Sequence, residues 1–399
     1  MAFKVNSISL ENGLNVLHCH MPTNDISLIY GINAGSLYEN ANQAGLAHLA
    51  EHILFKGTYR RKNREEIYNE RLCLSSDFFC HTSFKKIELG MRILKENFEQ
   101  SLEFTEDILL RSMFTAEDIT KEKEIVLDEM RIRKDVCLIY DEFFKILYEG
   151  HPYSRPIVGY ENTILNLNVD EIKKFYQQHY VPSNMVLIVT GDIGLDDLKK
   201  SLEKVFTGKL NFSVPELKEI KLPANYKREI IIKKERENSE ILVGKLLKKV
   251  NISEANILEY VLSKNVSNAL LNKYSTSYNR NCSLNECLIK IYASCKKEHN
   301  KFVKDVIKYN ITNTKNGNFL DEDIENIKKQ IANSFTLYSQ SSMYIAKYIL
   351  KCWPNQCNNF DWLNTYVDSI NAITKEGVLK EAQKHLSIDD LTTLIIGDF

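Results

Sequence analysis

The sequence predicts an α+β protein built as two homologous α/β sandwich domains. Three observations point there. Strand-like stretches open each half of the chain, helix-like stretches follow them, and a helix–turn–strand unit recurs at a fixed offset of 206 residues. With 399 residues, 44% of them hydrophobic, the chain can bury two cores of ordinary size at roughly 100–200 residues per domain.

Taken in order, residues 8–10, 14–17 and 26–32 are short apolar runs bounded by polar residues, the pattern of strands. Ala44 to Thr58 reads AGLAHLAEHILFKGT, in which Leu46, Leu49, Ile53 and Leu54 have helical spacing and Gly57 supplies a stop. Residues 116–150 carry no Pro and no Gly before Gly150, which predicts one long helix. Residues 164–193 read ILNLNVDEIKKFYQQHYVPSNMVLIVTGDI: an amphipathic helix, a polar turn, and a strand that stops at Gly-Asp. The second half opens with strand-like runs at 229–233 and 240–244. It closes at 370–399 with INAITKEGVLKEAQKHLSIDDLTTLIIGDF, which has the same grammar as 164–193.

Without gaps, Ile164 pairs with Ile370, Lys174 with Lys380, Gln177 with Gln383, His179 with His385, Gly191 with Gly397 and Asp192 with Asp398. Six identities in 30 positions exceed what a shared helix–turn–strand grammar requires, and they indicate common ancestry. A repeat this long means two homologous domains, since a solenoid repeats every 20–50 residues or so. Pro215 and Pro223 interrupt the pattern between them. The expected division is an N-terminal domain at 1–212, a linker at 213–226 and a C-terminal domain at 227–399.

With 52 Lys and Arg against 53 Asp and Glu, the formal net charge of -1 gives no electrostatic case for nucleic acid or an anionic membrane. Lys296-Lys297 and Lys328-Lys329 lie among acids and read as solvated helix faces. No apolar run reaches the ~20 residues of a membrane span, and residues 1–13 lack the apolar core of a secretory signal. The nine cysteines form no C-x-x-C pair, so reduced thiols in a cytoplasmic protein are expected. The spacings Cys282/Cys287 and Cys352/Cys357 fit no common zinc knuckle.

One motif carries chemistry. His48 and His52 are four apart, so on a helix their rings leave from one face and can share a tetrahedral cation. Glu51 lies beside that face, placed to take a proton from an attacking water rather than to act as a ligand. The order is H-x-x-E-H, the reverse of the commoner zinc-peptidase order. Chance produces it in about one such chain per hundred, and two surface histidines on a polar helix face are the plain alternative. The apolar surroundings of this pair favour a bound ion, because unpaired polar groups are costly there.

A catalytic zinc site needs a third protein ligand and one open position. The stretch ITKEKEIVLDEM offers Glu122, Glu124 and Glu129. Glu122 and Glu129, seven apart, share a helix face, but composition does not choose Glu129 over Glu124.

The sequence resembles the pitrilysin/insulysin family of inverzincin zinc metallopeptidases, in the short-subunit branch that includes mitochondrial processing peptidase. The matching stretches are SLENGLNVL at 9–17, AGLAHLAEHILFKGT at 44–58, EKEIVLDEM at 122–130, GHPYSRPIVG at 150–159 and YVPSNMVLIVTGDI at 180–193. The resemblance implies the paired pitrilysin-type (LuxS/metallopeptidase-like) fold and one zinc ion per chain held by His48, His52 and Glu129. It also implies that Glu51 is the catalytic acid/base and Glu122 a helper acid behind the ligands.

Two departures matter. Where many active relatives carry a substrate-pairing Asn in a strand, this chain reads DFFCHTSF and places Phe79 or Cys80 there. The family's second-half Arg, with a Tyr seven residues later, grips the substrate and polarises its carbonyl. Ser275 and Cys282 occupy those positions here, with Tyr278 and Arg280 nearby. An intact first-half site beside a degraded second-half one implies the zinc subunit of a heterodimer whose homologous partner supplies Arg and Tyr. The expected substrate is an unfolded peptide. The Lys/Asn/Ile-rich composition suggests an AT-rich bacterial genome and a peptide precursor such as a bacteriocin leader. The rivals are a non-catalytic structural subunit, which need not hold stoichiometric zinc, and a peptide-recruiting subunit.

Overall fold

The computed structural model describes residues 2–207, 215–217, 221–270, 275–283, 286–353 and 360–398, with backbone alone at 135, 275–283, 286–287 and 352. Two compact units emerge. The first gathers Met1–Arg133, Arg155–Glu219 and Thr336–Asn364; the second gathers Lys134–Ser154, Ile220–Phe335 and Thr365–Phe399.

The first unit holds strands β1 (Val5–Ser9), β2 (Asn15–His20), β3 (Asp25–Ile32), β4 (Ser75–Thr82), β5 (Ile87–Leu94) and β6 (Met185–Gly191), ordered β1-β2-β6-β3-β5-β4. β2 runs parallel to β6, and the other pairings are antiparallel. Along the chain lie helices α1 (Leu46–Ile53), α2 (Arg64–Leu74), α3 (Phe98–Leu110), α4 (Ala116–Val136), α5 (Leu138–Leu147, which belongs to the second unit), α6 (Glu161–Asn166), α7 (Val169–His179) and α8 (Leu195–Val205). Leu28, Tyr30, Leu89, Met91, Leu187 and Val189 of the sheet bury against Leu49 and Ile53 of α1, Leu102 and Ile108 of α3, Ile172 of α7 and Leu202 of α8. Each such side chain stabilises the fold by ~1.5–3 kcal/mol.

The second unit repeats this design. Strands β7 (Arg228–Lys233), β8 (Ser239–Lys248), β9 (Ser275–Ser283), β10 (Glu286–Cys295) and β11 (Thr392–Gly397) are ordered β7-β11-β8-β10-β9. The parallel pair β7/β11 answers β2/β6, and β8, β10 and β9 answer β3, β5 and β4. Its helices are α9 (Ile252–Leu270), α10 (Asn300–Lys315), α11 (Asp321–Tyr338, whose last residues join the first unit) and, after α12 (Ser342–Cys352), α13 (Trp362–Asn371) and α14 (Lys375–His385). The offset of the sequence repeat reappears in the elements. α7 and α14 begin and end 206 residues apart, and each is capped by the residue before it, Asn168 or Thr374, accepting from the backbone N–H three residues on. The repeated histidines have parted: His179 Nδ1 meets Asn33 O at 2.9 Å, whereas His385 lies 3.1 Å from Glu381.

Two segments depart from the contiguous halves expected at 1–212 and 227–399. The stretch 116–150 is not one helix but two, broken at Cys137 without Pro or Gly. Val126 of α4 buries in the first core, while Ile139, Phe143 and Leu147 of α5 pack on Leu242, Leu246, Leu394 and Ile396 of the second sheet. Two cores claim the two pieces, and the helix breaks between them. Conversely, α12 from the C-terminal half covers the other face of the first sheet. Its Ser342 Oγ meets Ser27 Oγ at 2.8 Å and donates to Asp25 at 2.9 Å, and its carbonyl accepts from Thr190 at 2.7 Å. Gly31 of β3 leaves room there for Leu350 and Trp353.

Candidate metal centre

The centre is built on α1, a helix of two turns whose apolar residues Leu46, Leu49 and Ile53 face the core. Its entry needs Gly45, at φ +96, and the backbone crosses Gly159, at φ +79, so closely that neither could carry a side chain in place. Glu39, buried, caps the helix from outside it, accepting from Gly45 N at 3.1 Å and Ala47 N at 2.7 Å. Burial pushes its pKa up to about 8 against those two donors and nearby Arg155. Arg155 Nη2 donates to Glu39 O at 2.9 Å and Thr163 Oγ1 to Ala44 O at 2.6 Å, so residues 155–163 brace the helix start. Beyond its other end, Ser112 Oγ donates to Leu54 O at 3.0 Å.

From this helix His48 and His52 project side by side, ring centroids 4.6 Å apart at 65°. Glu129 of α4 sends Oε2 to 3.7 Å from Nε2 of each ring. The three donor atoms lie within 4.8 Å of one another, and among the described residues no other group of three His, Cys, Asp or Glu does so. Ligand bonds of about 2.0–2.1 Å at tetrahedral angles put donors roughly 3.4 Å apart, so small side-chain movements would close the set around a zinc ion. Burial first, then His52, Arg133 and His81, lowers the pKa of His48 to about 3, so it presents a neutral imidazole, the form that binds metals. The residues fit the ion.

Glu122 lies two turns before Glu129 and is buried. Its Oε2 stands 3.1 Å from His52 Nδ1, and its Oε1 is ion-paired with Lys56. Burial raises the pKa of Glu122, but the bonds from His52 and Lys56 outweigh it and hold the carboxyl below its ordinary range. A carboxylate only accepts, so it is the His52 Nδ1 hydrogen that faces Glu122, and Nε2 is the ring nitrogen turned toward Glu129. Glu51 is mostly buried, which raises its pKa against hydrogen bonds from Thr82 and Cys80 and the fields of His52 and His81. Thr82 Oγ1, at the end of edge strand β4, donates to Glu51 Oε2.

Sequence reasoning had not reached Thr82, Glu39 or any role for Lys56; only Lys56, on the same face as His52 four residues on, left a local signal. The structure also separates Phe79 from Cys80. Cys80 shares the Glu51 side of β4, while Phe79 packs on Gly90 with Lys347 Nζ 4.6 Å above its ring. Ser275, Tyr278, Arg280 and Cys282 fall on β9, where side chains lie outside the described residues, as do those of Cys287, Cys352 and Cys357. No helix among the described residues is long and apolar enough to cross a membrane.

Two imidazoles from one helix and a carboxylate from a second, beside a further acid, match the donor set of a His₂Glu zinc site. Comparison agrees: residues 16–160 match the insulinase domain of peptidase family M16, and residues 166–331 match its inactive domain. The chain belongs to peptidase family M16. It is 31% identical over 248 residues to an uncharacterized zinc protease of Rickettsia bellii, 60% of this chain and 58% of that protein. The match thus spans well under two thirds of that relative, and of its Rickettsia felis counterpart, also 58%. Identity to the uncharacterized zinc protease YmxG of Bacillus subtilis is 22% over 359 residues, 85% of each chain. Identity to a probable mitochondrial-processing peptidase subunit beta of Schizosaccharomyces pombe is 28% over 209 residues, 51% of this chain and 45% of that one. A protease from Helicobacter pylori shares the whole fold, with a TM-score of 0.89 at 21% identity, covering 100% of both chains.

Proposed function

We propose that this chain is the catalytic, zinc-bearing subunit of a metalloendopeptidase that cuts unfolded peptides. The observation that carries the reading is the convergence of His48, His52 and Glu129 within 4.8 Å. Held there, zinc would polarise the scissile carbonyl and lower the pKa of a water toward ~7. Glu51 takes the proton of the attacking water and delivers it to the leaving amine. Thr82 fixes one oxygen of Glu51, and Glu122 orients His52.

Among the described residues β4 is an edge strand of the first unit's sheet, and its Thr82 touches Glu51. A peptide added along that edge passes the acid with its backbone paired and its side chains largely unread, so disorder rather than sequence admits a substrate. Ser275 and Cys282 stand where the family's Arg and Tyr are expected, so a homologous partner subunit supplies those groups; one relative is itself named as a beta subunit. A peptide precursor such as a bacteriocin leader is the proposed substrate. The setting is cytoplasmic, in keeping with the unpaired thiols of Cys19, Cys73, Cys80, Cys137 and Cys295.

The test is Glu51→Gln in the chain mixed with its partner. Zinc content stays at one per chain, while cleavage falls by about 10²–10⁴, the scale of a lost acid/base. A wild-type chain that holds no zinc, or an E51Q variant of undiminished activity, returns the alternative of a structural or peptide-recruiting subunit. If the zinc-loaded chain alone cleaves as fast as any mixture, the heterodimer is refuted and the metallopeptidase stands.

A further inference from the structure

We infer that Lys56 is a positioning residue of the metal centre, acting through Glu122 on the orientation of His52. The inference rests on the metal reading above. His52 and Lys56 are four residues apart at the end of α1, where Lys56 N donates to Ile53 O at 3.1 Å and prolongs the turn. Both side chains therefore leave the same side of the chain and meet one carboxylate. Glu122 Oε2 accepts from His52 Nδ1 at 3.1 Å, and Oε1 is held by Lys56 Nζ.

A carboxylate on an α4 side chain has free rotation about its last bond unless its second oxygen is pinned. Lys56 pins it, which sets the plane in which Oε2 receives the His52 proton and thus the direction of His52 Nε2, 3.7 Å from Glu129. Both charges are nearly out of water, with side chains 10% and 4% exposed. A buried ion pair gains little stability over apolar packing of the same volume. The geometry instead matches the outer hydrogen bonds that fix the rings of metal-binding histidines, here extended by one charge. The motif FKGT thereby acquires a division of labour: Lys56 serves the centre, whereas Thr58 ties to buried Asp107.

The test measures zinc affinity by chelator competition in the full chain for wild type, K56M, K56R, E122Q and the K56M/E122Q double variant. The expected result for K56M is a 10–100-fold weaker zinc Kd, the range seen for outer-shell losses. The double variant binds within about twofold of E122Q alone, because Lys56 acts through Glu122. K56R recovers most of the affinity. Should K56M not fold, K56Q is compared in the same cycle. A K56M or K56Q variant that binds zinc as tightly as wild type overturns the inference, and so does a double variant whose loss is the product of the two single losses. A wild-type chain without zinc binding fails the metal reading itself, a result distinct from either.

Discussion

Gly45→Ala tests whether the entry to α1 is as tight as the structure describes. Gly45 sits at φ +96, where an L side chain costs ~1–2 kcal/mol. An added Cβ would stand 2.7 Å from Val158 O and 2.6 Å from Ile164 Cδ1. The methyl can swing aside, but the carbonyl is backbone, and such overpacking costs ~1–3 kcal/mol. Alanine returns ~0.4–1 kcal/mol by restricting the unfolded chain. The net loss is about 1–4.6 kcal/mol, or roughly 2–18 °C in Tm for a domain of 150–250 residues. Because His48 is the third residue past Gly45, the shifted helix also weakens zinc binding by about tenfold or more, the scale of lost ligand orientation. Gly150→Ala is the control: φ is +78, but nothing lies within 4 Å of the new Cβ, so only the conformational cost of ~1–2 kcal/mol, less the same gain, applies. Calorimetry of the apo proteins, with chelator competition for zinc, gives both readings. A G45A chain that melts within about 2 °C of its parent, or no lower than G150A, refutes the packing argument.

Zinc at 1,000 times its Kd should stabilise the chain by about 4 kcal/mol, a Tm rise that EDTA reverses and H48A abolishes; an equal rise in H48A would place the ion elsewhere. Arg61 reaches Glu70 and Asp107 at 2.7 Å and Glu103 at 2.8 Å, with Asp107 fully buried. R61M therefore strands a buried carboxylate and should lose ~3–5 kcal/mol in urea titration, with partial recovery in R61M/D107N. Burial would raise the pKa of Asp25, but hydrogen bonds from Arg92 and Ser342 outweigh it and hold the group below its ordinary range. Its contribution is complete above the unfolded value near 3.9 and is lost as pH falls through the lower folded value. Amides of α12, tied to Asp25 through Ser342, should accordingly lose exchange protection below that range relative to pH 6, and D25N should flatten the dependence.

Local chemistry in the sequence determined the duplication, the strands that open and close each half, the helix–turn–strand unit and the shared face of His48 and His52, but not β4, β5, β9 or β10. Each follows from a period of two or 3.6 residues, or from spacing within one element, which neighbours along the chain settle without help from the rest of the molecule. Glu122 and Glu129 shared a face by the same rule, but only tertiary packing decided that this face, and not that of Glu124, looks at the imidazoles. The same holds for Thr82 against Glu51 and for Glu39 at the start of α1, whose partners are brought near by the sheet and by the loop before the helix. The break at Cys137 and the exchange of α5 and α12 were beyond local reading altogether. Nothing in those segments resists a continuous helix or a contiguous domain; each follows from an apolar face that found its cover on a sheet from the other half of the chain.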